Sequence, residues 1–324
     1  MRRDVVIDED ETGYGALTRA NATLHSRDHV VSLSLRGVEL HLREVGPQDG
    51  PTLMYLHGVF SDQRTWRFLT PLLAERYRIW LVDLPGCGRS RGPDPRLQPL
   101  AYSVDWIADV VVEALTRLDV FAAPVFLVGH SLGANVAWST LERLEQAERA
   151  CVPGGMVLIA PADPHAEEYP RVLRELAYLS GWEVSIGAAL GVLDARIQAA
   201  VRRSVELPDE RAFLTEAARL RDCLADGTRR RASQAMLRRF AHGHGGARVV
   251  PGSALLVWGG SDDVLPVVSG QRLSRRLGDA PLVIVPGTRH SVHQEAPAAV
   301  ALEIRRFVDG RLASPVLEGR PPPG

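Results

Sequence analysis

The chain has 324 residues, 45% hydrophobic and 24% charged, which suits one large folded domain carrying an insertion and excludes the disordered and fibrous classes. Its 38 basic side chains stand against 39 acidic ones, a formal net charge of -1, so no overall field draws the protein to nucleic acid or to an anionic membrane. The expected partner is a small molecule.

The amino terminus, MRRDVVIDEDETGYGALTR, carries charges that interrupt any apolar leader, and no run of about 18 apolar residues follows anywhere. A cytoplasmic protein without a membrane span is the expectation. Three cysteines, Cys87, Cys151 and Cys223, share no CxxC or ligand-like spacing and are read as reduced thiols. Residues 1–29 form an extension that is polar and without clear period, either a mobile arm or a surface-packed segment.

From Val30, VVSLSLRG and VELHLREV alternate apolar and polar residues about Arg36 and Gly37, the pattern of a β-hairpin. TLMYL (Thr52 to Leu56) and RIWLV, which ends just before Asp83, are short apolar runs that predict buried strands. Apolar residues at helical spacing between Tyr102 and Leu118 give way, after Pro124, to another buried strand, VFLV, which leads into GHSLG. Further strands are expected at Met156 to Ala160, Ala254 to Trp258 and Leu282 to Val285. A helical pattern from Val267 to Leu277 separates the last two, and a final helix runs from about Ala296 to Leu312. Strands alternating with helices imply a mainly parallel sheet covered on both faces. The α/β core is expected to comprise residues 30–162 and 252–312, with a tail at 313–324 too rich in proline and glycine to continue the last helix. Residues 163–251 break the alternation with amphipathic helical patterns and no strand, so they read as an inserted helical cap. Its arginine groups (Arg202-Arg203, Arg229 to Arg231, Arg238-Arg239) read as solvated helix faces.

The sharpest local signal is Gly129-His130-Ser131-Leu132-Gly133, a GxSxG between a buried strand and the helical run ANVAWSTLERL. A serine on so tight a strand-to-helix turn needs small neighbours, and the following helix directs its first N–H groups toward negative charge developing beside Ser131. Such a serine also requires a base, and the base an orienting acid. Downstream, WGGSDDVLP offers Asp262 after a strand, with Asp263 and the earlier Asp163 as rivals, and RHSVHQEAP offers His290. The chain order is Ser, Asp, His.

With HGVFSDQRTW at His57 and DLPGCGRS at Asp83, five landmarks in order resemble capped α/β-hydrolases of the esterase, lipase, haloperoxidase and C–C hydrolase group, over most of the chain from Val30 to about Leu312. The resemblance implies the α/β-hydrolase fold, Ser131 as nucleophile, His290 as base and Asp262 as its orienting acid. It also implies an oxyanion hole formed by the backbone N–H groups of Val59 and Leu132. Serine rather than aspartate at the elbow speaks against the dehalogenase and epoxide-hydrolase branches. Where the family usually has glycine before the catalytic histidine, this chain has Arg289, expected to narrow the approach to His290 or to add positive charge near it. Helical spacing puts Tyr178, Leu179, Trp182, Ile186 and Leu190 forward as residues of the cap that line the substrate pocket.

His57, His130 and His293 are expected to brace structure, and Cys87 to be packed rather than reactive. His242 and His244 in HGHGG lack companion ligands, so no metal is expected. GCGRSRG lacks the spacing of a dinucleotide fingerprint and no GxxxxGK[ST] occurs, so no cofactor is expected either. The activity that follows is hydrolysis of a small apolar carboxylic ester through an acyl-enzyme. The same residues could serve C–C, amide or thioester hydrolysis, cofactor-free perhydrolysis, a lyase or cyclase reaction, or a ligand receptor without turnover. Oligomeric state is not legible.

Overall fold

The computed structural model describes residues 14–98, 100–120, 124–146, 153–162, 171–190, 192–207, 210–240 and 253–313. Asp163, His242, His244, Cys151, both ends of the expected cap, the first thirteen residues and nearly all of the tail lie outside them.

Helix α1 (Tyr14–Thr23) precedes the hairpin of β1 (Ser26–Leu33) and β2 (Val38–Val45), whose strands pair antiparallel across a turn closed by Gly37 at φ 64. The hairpin stands where the alternation put it. Its first strand starts four residues before Val30, because as an edge strand it presents Arg27 and Asp28 to solvent and shows no apolar pattern there. Strand β3 (Thr52–Leu56) is followed by short helix α2 (Thr70–Leu73) and by β4 (Arg78–Val82). Helix α3 (Val104–Arg117) begins at Ser103, whose side chain accepts the N–H of Trp106 and satisfies one of the donors a helix start leaves open. It buries Ile107, Val110, Val111 and Ala114. Strand β5 (Val125–His130) leads directly to α4 (Leu132–Gln146), and then to β6 (Pro153–Ile159).

Five helices intervene before the sheet resumes: α5 (Arg171–Tyr178), α6 (Gly181–Ala189), α7 (Val192–Ser204), α8 (Glu210–Ala225) and α9 (Gly227–Phe240). The chain then closes with β7 (Ala254–Gly259), α10 (Val267–Arg276), β8 (Leu282–Val285), the turn-length α11 (Val292–Glu295) and α12 (Pro297–Leu312).

Among the described residues the strands form one eight-stranded sheet in the order β1-β2-β4-β3-β5-β6-β7-β8, parallel from β4 to β8 and antiparallel at the β1-β2-β4 edge. Helices cover both faces. On one, α3, α4 and α10 enclose Trp80, Leu127, Leu158 and Trp258; on the other, α2 and α12 enclose Tyr55, Phe126, Val257 and Ile304. Each such side chain, removed wholly from water, contributes roughly 1.5–3 kcal/mol before chain entropy is counted. The inserted helices have their own core of Val184, Leu193, Ile197, Val201, Phe213, Leu220 and Leu224, into which Phe60 from the loop after β3 projects. No single helix among the described residues is long and apolar enough to cross a membrane.

The amino-terminal segment also packs. Leu17 of α1 is buried with Phe68 and Ala212, and Tyr14 donates its hydroxyl to the Glu295 carbonyl at 2.6 Å, so the helix spans the sheet domain and α8.

Candidate active site

Strand β5 delivers Ser131 at its carboxyl end, where φ is 53, in the left-handed region that a side chain other than glycine rarely adopts. The strain is held by neighbours on both sides. Ser131 donates its N–H to the Ile159 carbonyl at 2.9 Å, and its own carbonyl accepts from Ala134 at 3.0 Å. A methyl group on Gly133 would stand 2.2 Å from the Leu56 carbonyl oxygen, and one on Gly129 would stand 2.3 Å from the Gly133 carbonyl oxygen. Both positions therefore need glycine for close approach of backbone, as the spacing of the motif implies.

His290 and Asp262 meet from two other loops. The Asp262 carboxylate accepts from His290 Nδ1 at 2.9 Å through Oδ2, while Oδ1 accepts the backbone N–H groups of Val264 and Leu265 at 2.8 and 2.7 Å. A carboxylate is acceptor-only, so this arrangement places the proton on Nδ1 and leaves the Nε2 lone pair free. Asp262 is buried and Asp263, its rival, is exposed. Ser131 and His290 line one cavity of about 120 Å³ together with Gly58, Val59 and Val264 from the sheet domain and Leu176, Val201, Val205 and Leu220 from the inserted helices. Ser131 and His290 are not hydrogen bonded to one another; such contacts often tighten only when substrate is bound. Among the described residues, no acceptor is bonded to the N–H of Val59 or Leu132.

The loop carrying Val59 is fixed by buried polar contacts. His57 accepts the Leu84 N–H on Nε2 at 3.0 Å and so carries its proton on Nδ1, which donates to the Gly58 carbonyl at 2.7 Å. Asp83 accepts the N–H of Gln63 at 2.8 Å and that of Arg89 at 2.9 Å, joining the HGVFSDQ and DLPGCGRS segments. Below Ser131, His130 donates Nε2–H to the His290 carbonyl at 3.1 Å, and the His130 ring lies 4.8 Å from His290 and 4.4 Å from His293, centroid to centroid. Burial, then the neighbouring imidazoles His293 and His290, push His130 well below its ordinary range. Cys87 is fully buried and burial lifts its thiol, so it is packed and unreactive.

The pocket-lining expectation needs correction. Tyr178, Trp182, Ile186 and Leu190 are exposed, Tyr178 by 73% and Leu190 by 70%, and none lines the cavity at Ser131. Their spacing of four would put them on one side of a continuous helix, but the helix is interrupted. Ser180 and Glu183 form a capping box that starts α6 afresh, and the buried face that follows carries Val184, Leu193 and Ile197 instead. Leu179 lines a second, mostly apolar chamber of about 390 Å³ between α5, α6, α7 and α8, which shares Leu176, Ala200, Arg203 and Leu220 with the cavity at Ser131. Arg289 lines neither.

Two cavity residues carry no signal in the local sequence. Glu216 is buried and receives Arg219 at 2.6 Å and Arg67; Arg219 donates also to the Phe60 carbonyl at 3.0 Å, and Arg67 to Gln294 at 3.1 Å. Burial alone would raise the Glu216 carboxyl, but Arg219 and Arg67 hold it below its ordinary value. This ion cluster joins α8 to the loop that carries Val59.

A mostly parallel sheet in this order, a left-handed serine between strand and helix, and helices inserted after β6 define a hydrolase-fold protein. Residues 53–303 match the Alpha/beta hydrolase family, and the chain belongs to it. It is 26% identical over 302 residues to the 2-(acetamidomethylene)succinate hydrolase of Mesorhizobium japonicum, a match covering 87% of this chain and 96% of that one. With YugF, an uncharacterized hydrolase of Bacillus subtilis, it shares 25% over 289 residues, 84% of this chain and 95% of that one. An esterase of Rhodococcus sp. superposes with a TM-score of 0.67 at 21% identity, covering 88% of this chain and 98% of the other; at that identity the likeness speaks for the fold alone.

Proposed function

We propose that the protein is a serine hydrolase that cleaves an apolar carboxylic ester through an acyl-enzyme. The observation that carries this is the Asp262–His290 hydrogen bond of 2.9 Å beside a serine held at φ 53 on the same cavity. Ser131 Oγ attacks the ester carbonyl carbon and His290 Nε2 takes its proton. The carbonyl oxygen, now negative, is received by the N–H groups of Val59, in the loop after β3, and of Leu132, at the start of α4 where the helix dipole also favours negative charge. His290 gives the proton to the leaving alcohol. Water, deprotonated by the same nitrogen, then releases the acid and restores Ser131.

The cavity beside Ser131 suits a small group. The adjoining chamber, walled by Leu176, Leu179, Leu193, Ile197 and Leu220, offers room for a longer apolar chain on one side of the ester. A second reading, cleavage of an amide or related bond in a substrate bearing a carboxylate, draws on Arg203 in the cavity wall and on the 2-(acetamidomethylene)succinate hydrolase relative.

The test is a fluorophosphonate label located by mass spectrometry, followed by turnover of p-nitrophenyl esters and of matched amides. Label on Ser131 with ester turnover is expected, and Ser131→Ala should lower turnover by about 10⁶ while the fold persists. Ester hydrolysis at an undiminished rate in pure Ser131→Ala would overturn the assignment. Amide turnover exceeding ester turnover would favour the second reading, and label without any turnover would favour a binding protein.

A further inference from the structure

The loop that carries His290 is bonded to the inserted helices on both sides of the histidine. Before it, the Arg289 guanidinium donates to the Arg202 carbonyl and pairs with the Glu206 carboxylate at 3.0 Å. After it, the Ser291 N–H donates to the Ser204 carbonyl at 2.8 Å. The Arg289 N–H in turn donates to the Glu295 carboxylate at 3.0 Å. Thus residues 202–206, the end of α7 and the turn beyond it, hold the histidine loop with their carbonyls and with Glu206. The same short segment faces the cavity at Ser131 with Arg203, Ser204 and Val205. One stretch of chain touches both the substrate space and the peptide groups flanking His290.

On its other side the loop packs on the sheet. A methyl group on Gly259 would stand 1.9 Å from the Arg289 carbonyl oxygen, so β7 lies directly against residue 289. Glycine at position 289 would leave two backbone ties to residues 202–206, the Ser291 N–H on the Ser204 carbonyl and the Glu206 N–H on the Glu295 carboxylate, and no side-chain tie from residue 289 itself. Arginine adds a forked donor that reaches two acceptors at once, a carbonyl and a carboxylate, and so fixes direction as well as distance.

We propose that Arg289 is a positioning residue that makes the placement of His290 depend on the seating of the inserted helices, so that the base is in line only when residues 202–206 are docked. This rests on His290 being the base. It explains the departure at residue 289 in terms of contacts: the side chain neither narrows the approach to His290 nor delivers its charge to the cavity, but spends both on the inserted helices. A substrate that presses on Val201 and Val205 then acts on the same segment that holds the histidine, and chain recognition is coupled to proton transfer.

The experiment reads the second-order rate of fluorophosphonate labelling at Ser131, alongside kcat and KM for a short ester, in wild type, Arg289→Met and Glu206→Arg. Methionine keeps the aliphatic stem and removes the fork. Glu206, 66% exposed on its side chain, tolerates a charge reversal that sets like charge against Arg289. Because a misplacement of about 1 Å can cost about 10² in rate, a partial release is expected to lower the labelling rate and kcat about tenfold in Arg289→Met and about threefold in Glu206→Arg, with KM for the short ester unchanged. If Arg289→Met does not fold, Glu206→Arg alone decides. Labelling within about twofold of wild type in each folded variant, or a rise in KM with kcat intact, overturns the proposal, since uniform binding would then be all that the contact supplies. Failure of wild type itself to label at Ser131 would strike the assignment of function instead.

Discussion

At Asp262 a single carboxylate does two jobs with two oxygens. Oδ1 is committed to the N–H groups of Val264 and Leu265, which fixes the orientation of Oδ2, and Oδ2 fixes the tautomer of His290. Asparagine would keep the first job, because its carbonyl oxygen can still accept both backbone donors. It would then turn its NH₂ toward Nδ1, forcing that nitrogen to accept and moving the imidazole proton to Nε2, where it blocks deprotonation of Ser131. Asp262→Asn is therefore expected to lower kcat by about 10⁴ with little change in KM or unfolding temperature. Asp263→Asn, on an exposed side chain, should leave kcat within about twofold, since surface substitutions rarely shift energies beyond about 0.5 kcal/mol. Steady-state kinetics on one short ester separates the two. If both variants retain wild-type kcat, the acid of the site lies elsewhere.

The strands were legible because each buried one is a short apolar run bounded by turn residues: β3 and β4 span the very residues of TLMYL and RIWLV, and β5 runs into GHSLG as expected. Burial on both faces removes ambiguity about which side is apolar. The candidate site was legible for a related reason, since Ser131, Asp262 and His290 each follow a strand end or its loop and the sheet brings those ends together. The inserted helices were not legible in the same way. Periodicity reports that a helix has an apolar side, yet says nothing of what that side meets, and the capping box at Ser180 resets the phase between α5 and α6. Helix α1 escaped notice because a single residue of it, Leu17, is buried and leaves no apolar period to read. The corrected assignment makes a prediction for these elements. Leu220 of α8 lines both the cavity and the chamber, whereas Trp182 of α6 lines neither. Leu220→Ala should change the ranking of esters by chain length, by about 1–3 kcal/mol in relative kcat/KM per methylene accommodated or lost, and Trp182→Ala should leave the ranking as it is. A series of p-nitrophenyl esters of increasing chain length checks both, and a reordered series in Trp182→Ala alone would return the chain-binding surface to the outer face of α6.

Across the whole molecule, stability and the candidate site share a column of buried rings. Trp66, His293, His130 and His290 lie in succession, with centroid separations of 4.6, 4.4 and 4.8 Å. Burial pushes His293 from 6.5 down to about 3, and the charges that face it divide: Glu216 favours its protonation, while His290, Arg67 and Arg219 oppose it. A folded value below the unfolded one means that the folded state prefers the neutral ring. The stability this represents is in full force above pH 6.5 and is lost as pH falls from there through about 3, on the order of 4–5 kcal/mol for such a displacement once both values are passed. His130, depressed in the same direction, adds to the loss. Glu295 opposes it. Burial raises that carboxyl from 4.5 to about 7, so its contribution is present below pH 4.5 and lost as pH rises through 7. Between pH 7 and pH 4.5 the two effects run against each other, and acid unfolding is expected to steepen below that window, where Glu295 has nothing more to contribute. His293→Gln tests the histidine's share. Glutamine can still bond to Thr65, the partner of His293 Nε2 at 3.0 Å, but does not titrate. The variant should be less stable than wild type at pH 8, by about 1–2 kcal/mol for the lost ring contacts, and should lose less stability on acidification, so that its urea midpoints approach or cross those of wild type near pH 4. Parallel curves from pH 8 to pH 4 would mean that His293 does not resist protonation in the fold, and that the acid sensitivity belongs to other groups.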